Sequence, residues 1–235
     1  MTRERVLLWL AAIVLSLMFS MLSLWQYGRG EQKIAILNAW DAALVAEPVS
    51  LSDGFAVSLP RRVTGEAQAW PGTPWLLLDN QRHDGRVGVR AYALLRLPHE
   101  GPALLADFGW LPLDGERRWP PLPALPANVD ATGLLTLPPG QGLRLGDHDY
   151  GADTGGAVLL NYLDLDEISR ALKLPLYPAV LRIAPQARFG FERDTTALPN
   201  TPPPATHYGY AVQWLALAIT VLVVAGVLEW RARNR

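Results

Sequence analysis

Two short clusters hold the residues of this sequence best suited to binding chemistry. In LWQYGRGEQK (24–33), Trp25 is followed by Arg29 and Lys33 at i, i+4 spacing, so the two cations share one helix face. In HYGYAVQW (207–214), His207 is followed by Tyr210, Ala211 and Trp214 at i+3, i+4 and i+7, again one face. An imidazole, aromatic rings and two cations together suit a flat amphiphilic molecule with a carboxylate edge. Haem is such a molecule, and histidine is a common axial ligand of its iron. The same residues also have ordinary uses, because Arg and Lys snorkel to headgroups at a membrane boundary and Trp and Tyr anchor there. Spacing alone leaves both readings open.

The elements that carry these clusters are two uncharged apolar runs. From Val6 to Gly28 and from Tyr208 to Leu228 the chain has no Asp, Glu, Lys or Arg. Each run has about the 20 residues that an α-helix needs to cross a bilayer core of roughly 30 Å. Two transmembrane helices are therefore expected, at 6–28 and 208–228. Arg3, Arg5, Arg231, Arg233 and Arg235 in the tails 1–5 and 229–235 outnumber Glu4 and Glu229. By the positive-inside tendency both termini are cytoplasmic and residues 29–207 form an extracytoplasmic domain. Trp9 and Trp230 fall near the inner ends of the spans, and Trp25, Tyr27, Tyr208, Tyr210 and Trp214 near the outer ends, as an interfacial belt requires. The first run is longer than a signal-peptide core, no convincing A-x-A site follows it, and no presequence-like segment precedes it. It reads as an uncleaved anchor in a bacterial plasma membrane.

Composition narrows the function. With 21 basic and 22 acidic residues, there is no basic field to attract nucleic acid. The absence of cysteine excludes disulfide scaffolds and thiolate metal or redox centres. No GxxxxGK[ST], HExxH, GxGxxG or GxSxG is present, so the chain does not read as an enzyme. The loop GDHDYGADTGG (146–156) gathers Asp147, Asp149 and Asp153 but misses the EF-hand pattern, with Ala152 at the turn glycine, and reads as a solvated loop. His83, His99 and His148 stand in turn-like contexts without helical partners and read as solvated turn residues.

Between the spans, residues 29–45 lack proline and extend the first helix. After Pro48, the segments 49–70, 75–82, 87–97 and 103–113 are short apolar or alternating runs broken by Gly, Pro, Asp and Asn. They predict a mainly β domain of the α+β kind, an antiparallel sheet or small barrel. Prolines from Pro98 to Pro139 restrict strands there to edges and short pieces. Asp164 with Glu167 three residues on and Pro175 beyond predicts one short helix. Residues 197–206, ALPNTPPPAT, predict a stiff extended spacer.

Taken in order, the motifs resemble the Surf1 (Shy1) family of cytochrome c oxidase assembly proteins over most of the chain. The resemblance rests on Trp25, Gln26, Arg29 and Lys33 at the first span, on Gly109, Trp110 and Pro112 in DFGWLP, and on His207, Tyr210, Ala211, Gln213 and Trp214 at the second. It implies a membrane-anchored factor for the haem-copper oxidase that binds haem a and assists its delivery to, or retention in, subunit I. By that analogy His207 is the iron ligand, Arg29 and Lys33 compensate propionates, and Trp25, Tyr210 and Trp214 contact the ring. Implied partners are subunit I, the haem a synthesis machinery and the lipid bilayer. The alternative is a membrane scaffold that docks oxidase subunits without binding haem. One departure is Phe108, where family members often carry arginine before the glycine-tryptophan pair.

Overall fold

The computed structural model describes residues 3–56, 58–139, 156–193, 196–197 and 201–234. The loop with Asp147, Asp149 and Asp153, His148, and residues 198–200 of the spacer lie outside the described residues. The chain divides into two compact units, one of residues Met1–Asn38 with Thr201–Arg235 and one of Ala39–Asn200.

The first unit is an antiparallel helix pair. Helix α1 runs Arg3–Val45 and α3 runs Pro204–Arg233, and each contains a stretch apolar and long enough to cross a membrane. Helix is the form such a run must take in lipid, because every backbone N–H and C=O is then bonded within the segment. Within this unit α3 buries Ala211, Ala218, Ala225 and Glu229, and residues 3–38 of α1 bury Ala12 and Gly30. Small residues at seven-residue intervals put one narrow face of α3 against α1 and let the backbones approach. Along that seam Phe19 stacks on Trp214 with centroids 5.6 Å apart, and the Ser23 hydroxyl donates to the Ala211 carbonyl at 2.8 Å. At the far end Arg5 reaches Glu229 (3.7 Å) and the Ala232 carbonyl (3.0 Å), while Arg233 donates to Glu229 at 2.7 Å. Large apolar side chains such as Met21 (71% exposed), Leu24 (72%) and Val212 (68%) point away from the seam. Such a band of exposed apolar side chains suits an apolar surrounding rather than water.

The second unit is a ten-stranded sheet with strands β1 Val49–Ser50, β2 Arg61–Thr64, β3 Glu66–Ala69, β4 Trp75–His83, β5 Arg86–Arg96, β6 Ala103–Pro112, β7 Asn128–Asp130, β8 Gly133–Thr136, β9 Ala157–Leu160 and β10 Leu176–Ile183. Its main path is β1-β2-β8-β10-β6-β5-β3-β7, with β4 and β9 branching from β5. β2 and β3 are consecutive in the chain, separated by Gly65, yet stand near opposite ends of this path, so the sheet curls back on itself.

The expected antiparallel sheet is corrected to a mixed one, because β1–β2, β4–β9 and β6–β10 pair parallel. Parallel neighbours need long crossovers, and the crossover into β10 contains helix α2, Leu165–Leu172. β5 and β6 are buried along almost their whole length, one core lying on each face, which is why their interiors are apolar without alternation except at the buried Arg90 and Asp107. The proline-rich stretch is short-stranded at β7 and β8 as expected. β6 departs from that expectation as a ten-residue central strand, since Pro102 and Pro112 stand only at its margins.

α2 forms where Asp164 and Glu167 predict it. The Asp164 carboxylate accepts from the Asp166 and Glu167 amides at 3.0 and 3.1 Å, and Lys173 closes the helix in the left-handed region at φ 53°. Ile168 packs into the core that α2 covers. The expected extended spacer 197–206 is corrected at its end, because α3 begins at Pro204 and takes in residues 204–206; Pro203 before it is extended, with φ −66° and ψ 161°.

Candidate functional site

Where α3 begins, its first turns lie beside residues 19–33 of α1. His207, in the first turn of α3, meets Gln26 across the seam, with Nδ1 2.8 Å from the amide Oε1. An amide oxygen only accepts, so Nδ1 carries the proton and Nε2 bears the lone pair. That Nε2 is buried and has no hydrogen-bond partner. An unpaired buried polar atom costs stability unless something uses it.

Two cations stand within electrostatic reach. Loss of solvent around the ring, then Lys33, then Arg29, hold the His207 pKa below its ordinary 6.5. The imidazole is therefore neutral at pH 7, the form that ligates metal. Burial and the charge of Arg29 lower the Lys33 pKa in turn. Lys33 Nζ donates to the Pro202 carbonyl, and Arg29 donates to the Gln32 amide oxygen at 3.1 Å. On the other flank of the seam, the Tyr208 hydroxyl donates to Glu31 at 2.7 Å and its ring lies 5.6 Å from that of Tyr27. Gly30 makes room for that ring, since a Cβ there would sit 2.7 Å from Tyr208 Cε1.

The structure thus brings His207, Arg29 and Lys33 together. Trp214 lies one heptad along the seam, stacked on Phe19. Trp25 (58% exposed) and Tyr210 (46%) project from the pair. At about 100° per residue, Trp25 and Arg29 fall on one flank of Gln26, and Tyr210 falls on the matching flank of His207, opposite the side marked by the Tyr27–Tyr208 contact. The residue that sequence reasoning gave no site role is Gln26. Its signal was present: it is the only Asn or Gln in the charge-free run Val6–Gly28, and polar groups inside a span are seldom idle.

A family model described as the SURF1 family matches residues 13–219, from within α1 well into α3. The chain belongs to the SURF1 family. Membership implies a cytochrome oxidase assembly factor, and the two long apolar helices agree with the family's membrane anchoring. No curated protein matches the chain.

The DFGWLP segment (107–112) is architectural in this chain. Gly109, at φ 114°, sits in a β-bulge of β6 against β5, and its amide donates to the Asp107 carboxylate at 2.9 Å. A Cβ at Gly109 would lie 2.6 Å from the Glu192 carbonyl, which instead accepts from the Trp110 amide at 2.7 Å. Trp110 Nε1 donates to the Gln81 carbonyl at 3.0 Å. Phe108 is fully buried edge-on to Trp75 and Phe189, 5.4 and 5.9 Å away. Phe108 is thus an aromatic core residue, and the buried Arg90–Asp107 pair at 2.8 Å lies close by.

His83 is corrected from a solvated turn residue to one 11% exposed, 3.1 Å from Glu192 and 5.4 Å from the Trp110 ring. The cause is pairing of β4 with β5, which carries the hairpin end beside the bridge between Trp110 and Glu192. His83, Asp84 and Glu192 are close enough to hold a metal, but Arg86 donates to both Glu192 oxygens at 2.9 Å and supplies the positive charge there. His99 is an exposed turn residue, as read, 3.1 Å from the Tyr177 hydroxyl.

Proposed function

We propose that this protein is a membrane-anchored oxidase assembly factor that holds haem a at the outer end of its helix pair. From there it assists delivery of the haem to subunit I of cytochrome c oxidase, or its retention there. The observation that carries this reading is the His207 ring, with Nδ1 donating to Gln26 and Nε2 buried without a partner. A histidine held by one nitrogen and free at the other is the arrangement of a metal ligand.

In this reading His207 Nε2 faces the iron, Arg29 and Lys33 answer the two propionates, and Trp25, Tyr210 and Trp214 shield the macrocycle. Both termini are cytoplasmic, the β-rich unit stands outside a bacterial plasma membrane, and the haem a synthesis machinery supplies the cargo. Haem a is held and passed on without chemical change. A carrier must bind its cargo better in one state than another, and in the seam as it stands His207 Nε2 is covered. Nε2 becomes available only when neighbouring groups move, and Lys33 has a carbonyl, that of Pro202, to exchange for a carboxylate.

Purification in detergent from cells that make haem a tests the proposal. A haem a absorption spectrum in the wild type, lost in His207→Ala, supports it. A colourless wild type that is folded supports the scaffold that docks oxidase subunits without haem.

A further inference from the structure

The hydrogen bond from His207 to Gln26 has a chemical direction. Oε1 of Gln26 accepts from Nδ1 at 2.8 Å, whereas a neutral histidine in water prefers its proton on Nε2. The contact therefore reverses the ring's own preference and leaves the lone pair on the buried Nε2. Across the seam, the Ser23–Ala211 bond and the Phe19–Trp214 stack fix the α1 segment that carries Gln26, so the amide is held at one height relative to the ring. The acceptor is also neutral. A carboxylate behind an imidazole pushes electron density toward the metal and strengthens the bond, and an amide carbonyl does so less.

We propose that Gln26 is the positioning residue of His207: it sets the Nδ1–H tautomer, so that Nε2 is the ligating atom, and as an amide it keeps that ligand releasable. The tautomer is a property of the protein alone, while the releasable ligand rests on the haem reading above. The two fail separately.

The full chain in detergent, labelled with 15N-histidine, has four histidines, and His207→Ala assigns the signal of interest. Two-bond 1H–15N spectra of the haem-free protein then report which ring nitrogen is protonated. Wild type is expected as Nδ1–H. Gln26→Leu is expected to revert toward Nε2–H and to bind haemin about 10–100-fold more weakly, the usual cost of losing the group behind a ligating histidine. Gln26→Glu, which can only accept when ionised, is expected to keep Nδ1–H and to surrender haemin to apomyoglobin more slowly than wild type. Near-ultraviolet circular dichroism of the Phe19–Trp214 pair checks that the helices still pack. An unchanged tautomer in a packed Gln26→Leu protein overturns the proposal. Faster haemin loss from Gln26→Glu overturns the claim of a weakened ligand. A tautomer change without haemin binding by any of the proteins confirms Gln26 as the residue that sets His207 and overturns the haem reading.

Discussion

Gln26 and His207 lie 181 residues apart in the chain and 2.8 Å apart across the helix pair. That contact exists because the helices hold one register over their length. Partners descend along α3 as they ascend along α1, from Arg5 with Glu229, through Phe19 with Trp214 and Ser23 with Ala211, to Gln26 with His207, and Lys33 meets Pro202 just before α3. Register is therefore the first thing to perturb.

Ala218 is 3% exposed and lies in the seam between Ala211 and Ala225. Replacing it with leucine wedges the helices apart, and overpacking of this kind costs about 1–3 kcal/mol. Ala218→Leu should lower the unfolding midpoint in a graded denaturant titration and loosen haem retention, although residue 218 is three turns from His207. Ala216→Leu, on an exposed face of α3, should do neither.

The pH response follows from His207. Its folded pKa is lowered, first by lost solvation and then by Lys33 and Arg29, while the unfolded chain titrates near 6.5. Between those values the unfolded chain binds more protons, so stability falls as pH drops through that window and is unaffected above it. Lys33→Gln removes the larger of the two charge effects and should raise the His207 midpoint part of the way back. An NMR titration of the haem-free protein measures both midpoints, and equal values would contradict the placement of Lys33.

In the β-rich unit, the Arg90–Asp107 pair is buried on both sides (6% and 5% exposed side chains) and also takes the Gly109 amide. Asp107→Ala removes the carboxylate that the buried Arg90 shares with Arg182, and an acceptor from the bulge. Breaking such a pair costs about 3–5 kcal/mol. Thermal unfolding should show this loss, and Arg90→Met added to Asp107→Ala should recover part of it.

Gly109→Ala asks for a side chain at φ 114° and 2.6 Å from the Glu192 carbonyl. Strain at such a backbone position is on the order of 1–3 kcal/mol, and the Trp110–Glu192 bridge must also shift. A lowered melting temperature with the helix pair intact is expected, the pairing read from a cysteine cross-link between the exposed positions of α1 and α3 beside the Ser23–Ala211 contact.

Much of the fold was legible because it is written in local chemistry. Uncharged runs of spanning length mark both long helices, and the Asp164 cap marks α2. The parallel pairings were not legible, because β6 and β10 meet through a long crossover that leaves no trace in either strand's own pattern. In the candidate site, His207, Arg29 and Lys33 announce themselves by type and spacing. Gln26 does not, since its role depends on which residue of a helix 181 positions away stands opposite. His83 was misread for a similar reason, its partner Glu192 being supplied by a distant segment.

The central claim is that His207 offers Nε2 to haem iron, and chemical rescue tests it most directly. In His207→Gly, haem a binding should be lost and then restored by free imidazole, with the absorption spectrum returning to that of the wild type. A His207→Gly protein that retains haem a with an unchanged spectrum before imidazole is added would contradict the account.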